Sequence, residues 1–400
     1  MTLIGTPHEP SLASEGPHDS GCLPKTLIRM ADGSERPIED VRPDECVVTA
    51  DGRTGVVRQT VKRRQNDSVV RLMLRGHTSV YLASQHAVLT KNGDVAVRDL
   101  MLDDWVALTR FLPTPQAALN ISEVISPRER AMKGGAWQGG AFAEPRRVIQ
   151  IAPIPDAIPL TPRTGRLIGL FLAYGAINAS KVRWTFIAQE RDTLVIECAD
   201  LLTDLGIQAE IQPQLNGRVS VTVYGAAWAR LWTRLFSLRD EDRTLHPLLF
   251  GDGDYLRAML GGWVAGEGYS GRNVADRWQQ MRGSTLSRTL AMSLYDVALG
   301  LGFRPTVQWC APSENLHPNR IRPFYEVELV TQPGDGTAQH GHEQSVVNPV
   351  HVWSRVRGVE QRRFAGTVYS LTVDGDESYV AEGIGVRCSV NRGATVAQNA

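Results

Sequence analysis

Two apolar nonapeptides stand in the middle of the chain, LIGLFLAYG at Leu167 to Gly175 and LGGWVAGEG at Leu260 to Gly268. They differ most tellingly at the eighth place, which holds Tyr174 in one and Glu267 in the other. Small residues recur four apart in both, Gly169 with Ala173 and Gly262 with Gly266. On a helix those positions share a face, so each segment predicts a smooth strip along which two helix backbones can approach closely. The eighth residues then lie at the same end of the helix pair. Two carboxylates there would form a hard-oxygen site suited to Mg²⁺ rather than zinc. Two metals so held activate water and stabilise the leaving oxygen of a phosphodiester. Glu267 supplies one acid. Tyr174 does not, because a phenol stays protonated near neutral pH and is a poor Mg²⁺ ligand.

The residues C-terminal to each nonapeptide form a repeat as well. In KVRWTFIAQ, Val182, Trp184 and Phe186 alternate with Lys181, Arg183 and Thr185, which predicts a strand with one buried face. Leu194, Val195, Cys198, Leu201, Leu202 and Leu205 then fall at helical spacing, closed by Gly206, before a strand pair in QAEIQPQLNGRVSVTVY. The second copy runs through polar extended sequence to Gly283. Its helix carries Leu286, Leu290, Leu294, Val297 and Leu301 and closes at Gly302, before the strands PTVQW and FYEVELV. An internal duplication therefore organises the middle of the chain.

The flanks read differently. From Cys22 to about Leu112, and again from about His351 to Val386, short runs of Val, Ile, Leu and Thr alternate with turn residues. Asp32-Gly33, Asp51-Gly52 and Asn92-Gly93 have the chemistry of hairpin turns. At 400 residues the chain is long enough for two or three domains. Charged residues at 22% and apolar residues at 42% exclude a disordered or membrane-spanning class, so no membrane partner is expected. The net charge of zero leaves nucleic-acid binding to local basic stretches, at Arg53 to Arg64 and Pro127 to Arg147. Five scattered cysteines without a CxxC pair argue against disulfides and structural zinc. With no secretory signal at the start, a reducing, cytoplasmic setting is expected.

The paired nonapeptides and the strands and helices after them resemble the LAGLIDADG homing endonucleases. That resemblance implies two αββαββ halves related by a pseudo-two-fold axis, acting as a monomer on double-stranded DNA with Mg²⁺. Each motif of the family ends in a metal-binding acid. Glu267 keeps that catalytic and metal position, while Tyr174 has lost it. The family's upstream lysine is matched by Arg243, which does not handle protons as lysine does. Lys181, Arg183, Arg272, Arg277 and Arg282 fall where the family's sheets meet DNA.

The flanks resemble an intein, or Hint domain. CLPKTLIRMADGSERPIEDV resembles the first block, LASQHAVLTKNG the second, and GTVYSLTVDGDESYVAEGIGVRCS the last two. The resemblance implies that Cys22 attacks the carbonyl of Gly21 and turns an amide into a thioester. It gives His86 the role of protonating the departing nitrogen, and Ser389 that of acyl acceptor. Five positions depart from the family pattern. Ala83 stands for a threonine, Ser370 for an aspartate, Arg387 for the penultimate histidine, Cys388 for the terminal asparagine, and Tyr174 for the endonuclease acid. Cysteine has no side-chain amide, so the cyclisation that ends splicing is unavailable at Cys388.

The expected fold is α+β, an all-β Hint horseshoe split by two LAGLIDADG halves. Residues 1–21 and 390–400 would be extein-like segments processed in cis. Residues 22–112 and 351–389 would form the Hint domain, and 161–330 the endonuclease. Residues 113–160 would form a linker with possible DNA contacts, and 331–350 a second linker. The expected activity is N–S acyl shift at Cys22 with site-specific DNA cleavage, both partly degenerate. The alternatives are a DNA-binding relic without catalysis, or a folded element with neither activity.

Overall fold

The β-rich segments at the two ends of the sequence meet through two long strands, Thr54–Leu74 and His351–Val373. They pair antiparallel from Val57 opposite Val373 to Leu74 opposite Val356. Val57, Val70, Leu72, Val368 and Leu371 are fully buried along them, so apolar burial fixes the pairing across the whole intervening chain. This computed structural model describes residues 20–131, 154–187, 191–214, 217–267, 280–311, 322–330, 345–347 and 349–388. Within them the chain is mixed α and β with mostly sheet content. Ser389, Arg272 and Arg277 lie outside the described residues, and so does the side chain of Glu267, whose backbone ends a helix.

One sheet of twelve strands joins the two flanks. Its path passes from Leu27–Arg29 to Ser378–Ala381, Ile384–Arg387, Ala87–Thr90 and Trp105–Thr109, then to the long pair. Turns form where Asp-Gly and Asn-Gly were expected. Gly33 has φ of 87° and Gly93 of 97°, a region that a Cβ makes unfavourable.

The expected helix pair is Pro162–Tyr174 and Gly253–Glu267. Thr161 caps the first by accepting from the Thr164 amide, with Pro162 opening the first turn. Backbones touch along the small residues. A Cβ on Gly169 would lie 2.0 Å from the Met259 carbonyl oxygen, and one on Gly262 2.4 Å from that of Arg166. The strip also extends a turn further than the repeat suggests, because a Cβ on Gly165 would lie 2.4 Å from the Tyr255 carbonyl oxygen.

Each half then builds its own sheet. The first holds Gly175–Asn178, Lys181–Ile187, Arg218–Tyr224 and Glu210–Gln214. In it Val182, Trp184 and Phe186 are buried, as their alternation requires. The second holds Gln280–Thr285, Phe324–Val330 and Arg304–Cys310. Helices Ile196–Asp204 and Arg288–Gly300 end just before Gly206 and Gly302, both at positive φ.

Some elements were not foreseen. Helix Ala226–Phe236 buries Trp228, Leu231, Trp232, Leu235 and Phe236, an i, i+3, i+4 series that periodicity alone identifies. The Trp232 ring packs 4.3 Å from that of Phe171 and edge-on 5.3 Å from that of Trp184, centroid to centroid, so this helix completes the first half's core. The 113–160 region, expected as a linker, contains strand Ala118–Asn120 paired with Ala157–Pro159. It also contains a short helix, Pro127–Arg130, closed by a capping box between Ser126 and Glu129. In the second expected linker, Ser345–Val347 pairs with the start of the long strand from His351. Three residues suffice for such a strand, too few to carry a period.

Helix Arg288–Gly300 docks the middle of the chain onto the β flanks. Arg110 Nε and Nη2 each lie 3.2 Å from the carbonyl oxygens they bond, of Leu299 and Gly300, at its C-terminus. Arg29, 3% exposed, pairs with Glu35 and with Asp296 of the helix. Arg288 pairs with Glu382 at 2.6 Å, and Glu382 accepts from the Leu27 amide at 2.7 Å. Burial pushes the carboxyls of Glu35 and Glu382 above the usual carboxylate range. Removing one partner strands the other in a water-poor site, whereas replacing both with apolar groups does not. Asp296→Ala is therefore expected to destabilise the protein by about 3–5 kcal/mol, and replacing the whole triad, Arg29→Met with Glu35→Met and Asp296→Leu, to recover most of that loss. Urea midpoints of the three proteins, at constant m-value, check this.

Candidate functional site

The Gly21–Cys22 peptide is held between two strands. The Cys22 amide donates to the Tyr369 carbonyl at 2.7 Å, and its carbonyl accepts from the Tyr369 amide at 2.9 Å. On the other side the Ala83 amide donates to the Gly21 carbonyl oxygen at 2.8 Å. A backbone donor thus already meets the oxygen on which negative charge would grow if Sγ attacked its carbon. The contribution of Ala83 is its N–H, which does not depend on a threonine side chain. Arg63 donates to the carbonyl of Ser20, one peptide upstream.

Cys22 and His86 are both fully buried. Burial pushes the Cys22 thiol up to about 12, partly offset by a hydrogen bond with Tyr379, whose Oη lies 3.5 Å from Sγ. Burial, and then the positive charge of Arg63, lowers His86 to about 4, so its imidazole is neutral at pH 7. Neither ring nitrogen of His86 has a hydrogen-bond partner among the described residues. Its ring centroid stands 6.2 Å from that of Tyr379. The backbone brings His86 to this place through a tight turn, with its amide donating to the Ala83 carbonyl at 2.8 Å.

The far end of the sheet lies in the same region. Cys388 is buried, and burial raises its thiol to about 12. Arg387 donates to the carboxylates of Asp94 at 2.7 Å and Asp376 at 3.2 Å, and to the Asp376 backbone carbonyl at 2.6 Å, so carboxylates engage its guanidinium. Ser370 is buried beside Tyr379. Tyr379 is illegible in sequence, because a tyrosine in an apolar strand carries no signal until its hydroxyl has a neighbour.

At the end of the helix pair the chemistry at Tyr174 is aromatic, where an acid was expected by resemblance. Tyr174 packs 4.5 Å from Phe186, centroid to centroid, and its hydroxyl donates to the Ala265 carbonyl at 3.4 Å. Its ring also lies against Gly266, where a Cβ would come within 2.5 Å of Tyr174 Cε2. Arg243, 4% exposed, donates to the carbonyl oxygens of Phe171 at 3.2 Å and Gly175 at 2.9 Å. A cation there complements the negative end of the first helix. Arg243 therefore closes a helix terminus. Among the described residues no group of three acids, histidines or cysteines could hold a metal. A phenol bonded to a carbonyl beside a buried guanidinium does not fit Mg²⁺, which calls for carboxylate oxygens.

The polar faces of the two small sheets differ in charge. The first carries Lys181, Arg183 and the exposed Arg218, with one acid, Glu210, on the same face by register. Lys181 Nζ lies 5.8 Å above the Tyr224 ring. On the second sheet Arg282 lies 3.4 Å from Glu326 and 3.5 Å from Glu328, so its charge is offset locally. Arg304, in the strand beside these acids, was missed in sequence.

No model of a known protein family matches the chain. It is 25% identical over 240 residues to an ATP-dependent DNA helicase of Thermococcus kodakarensis, a match covering 56% of this chain and 21% of that protein. It is 25% identical over 383 residues to an iron-sulfur cluster assembly SufBD family protein of Mycobacterium tuberculosis, covering 92% of this chain and 42% of that protein. The chain spans less than half the length of these curated relatives. Similar solved structures include the homing endonuclease I-DmoI in complex with DNA and Mn, at 13% identity and a TM-score of 0.31, covering 42% of this chain and 90% of that one. They also include the gp41-1 intein, at 12% identity and a TM-score of 0.20, covering 22% of this chain and 68% of that one.

Burial of neutral His86 has a thermodynamic consequence. Its folded value of about 4 lies below the unfolded 6.5, so the unfolded chain binds the proton more readily. The resulting stability is fully present above pH 6.5 and is lost as pH falls from there to about 4, amounting to about 3 kcal/mol. His86→Gln is expected to flatten the acid limb of stability against pH in that window, measured by urea unfolding at successive pH values.

Proposed function

We propose that this chain is an intein-like self-processing protein interrupted by a LAGLIDADG-type unit that binds duplex DNA. The observation that carries the proposal is the seating of the Gly21–Cys22 peptide, with the Ala83 amide 2.8 Å from the Gly21 carbonyl oxygen. In this reading Cys22 Sγ bonds to the Gly21 carbonyl carbon and the carbon–nitrogen bond breaks. The thiol proton ends on the Cys22 nitrogen, and a thioester remains. Ala83 N–H steadies the oxyanion, and the neutral imidazole of His86 takes up and returns the proton. Processing stops short of ligation, because Cys388 has no side-chain amide to cyclise. Hydrolysis, or transfer to Cys388 or Ser389, ends the reaction.

The inserted unit meets DNA through Lys181, Arg183, Arg272, Arg277 and Arg282, as one copy in a reducing compartment. Site-specific cutting is weak or absent, with Glu267 as the remaining acid. The aromatic and guanidinium contacts of Tyr174 and Arg243 support this second half of the reading, in which the DNA-binding surface outlasts the nuclease. A salt-sensitive, sequence-selective gel shift without Mg²⁺-dependent cleavage is expected; efficient cutting of a long target would refute that half.

The direct test of the first half is the intact mass of the full chain carrying a bulky tag at each end, with and without a reducing thiol. Fragments divided between Gly21 and Cys22 are expected, increased by thiol and abolished by Cys22→Ala. A single uncleaved mass under both conditions, or a ligated product joining the two ends, would overturn it.

A further inference from the structure

Tyr379 stands on strand Ser378–Ala381, fully buried, opposite Val386. Cys22 bridges to Tyr369, the residue before Ser370. Three distant segments thus bring a thiol, a serine hydroxyl and a phenol into one water-poor place. The phenol oxygen lies 3.5 Å from Cys22 Sγ, within reach of a sulfur hydrogen bond, and also bonds the Ser370 side chain.

We propose that Tyr379 is a positioning residue for Cys22: a chain from Ser370 through Tyr379 to Sγ holds the sulfur near the Gly21 carbonyl and steadies charge developing on it. The inference rests on the self-processing reading above and extends it to a residue with no assigned role. A phenol has one proton to give. With the Ser370 hydroxyl donating to the phenol oxygen, that proton is directed to the sulfur. Burial opposes a charged sulfur, and the nearby carboxyl of Glu382 opposes it further, whereas a hydrogen bond from Tyr379 favours it. The Cys388 sulfur also influences the phenol electrostatically. No bond to Tyr379 forms or breaks; the thiol proton still ends on the Cys22 nitrogen. Tyr379→Phe deletes the one atom concerned and keeps the packing.

The test has two readouts on the full chain. The first is the S–H stretching band of Cys22, assigned by difference against Cys22→Ser, which needs no cleavage. It is expected to shift in Tyr379→Phe. The second is the pH profile of thiol-induced cleavage after Gly21. Tyr379→Phe is expected to slow cleavage about 10- to 100-fold, the range for a hydrogen bond to a charged group, and to displace the profile to higher pH. Ser370→Ala should act in the same direction by a smaller factor. An unmoved band, or an unchanged rate and profile in Tyr379→Phe, overturns the proposal. Wild-type protein that never cleaves, with a band that still shifts in Tyr379→Phe, refutes the self-processing reading while supporting the Tyr379–sulfur bond.

Discussion

The pairing of Thr54–Leu74 with His351–Val373 is the constraint on which the rest of the molecule depends. It closes a loop that contains the entire repeated middle of the chain. Closing so long a loop carries a substantial entropic penalty, though one that grows only slowly with length. Many residues of paired, buried strand offset it. Once closed, the pair sets Tyr369 beside Cys22 and, on its other edge, aligns Val69 with Ala83. The Gly21–Cys22 peptide is thus gripped by segments that meet only because the flanks have come together.

The half-repeats in the middle of the chain obey a second packing rule, and it is steric rather than electrostatic. Gly165, Gly169 and Gly262 bring helix backbones to distances at which any Cβ would collide with a carbonyl or amide. Tyr174 adds its ring against Phe186 and Gly266 at the end of the pair. Arg243 belongs to the same architecture, since it satisfies carbonyls that the helix end leaves open.

Burial governs the titratable groups in both parts. It keeps His86 neutral, Cys22 and Cys388 protonated, and Glu35 and Glu382 above their usual range. Charge is admitted to the interior where a partner is built in, as with Arg29 and Asp296, or Arg288 and Glu382. Those pairs join the β flanks to helix Arg288–Gly300. The turn at Glu382 connects strands carrying Tyr379 and Arg387, so the middle of the chain braces the region that surrounds Cys22.

Periodicity and spacing determined much of this protein. The i, i+4 small residues specified the helix pair, because only one face of a helix presents them together. Alternation specified the Lys181–Ile187 strand, and glycines at positive φ specified the turns and helix ends. The blocks around Cys22 and His86 pointed to chemistry on the β flanks only through their resemblance to inteins. Helix Ala226–Phe236 was equally legible in its 3–4 spacing, whereas the short strands at Ala118–Asn120 and Ser345–Val347 were not, being too brief to express a period. Tertiary structure alone decided which polar atoms meet. The Ala83 amide on the Gly21 oxygen, the Tyr379 hydroxyl at Cys22 and the Arg243 fork at a helix terminus join residues far apart in sequence. Partners chosen by the folding of intervening elements leave no local pattern, so only the assembled sheet and helix pair disclose them.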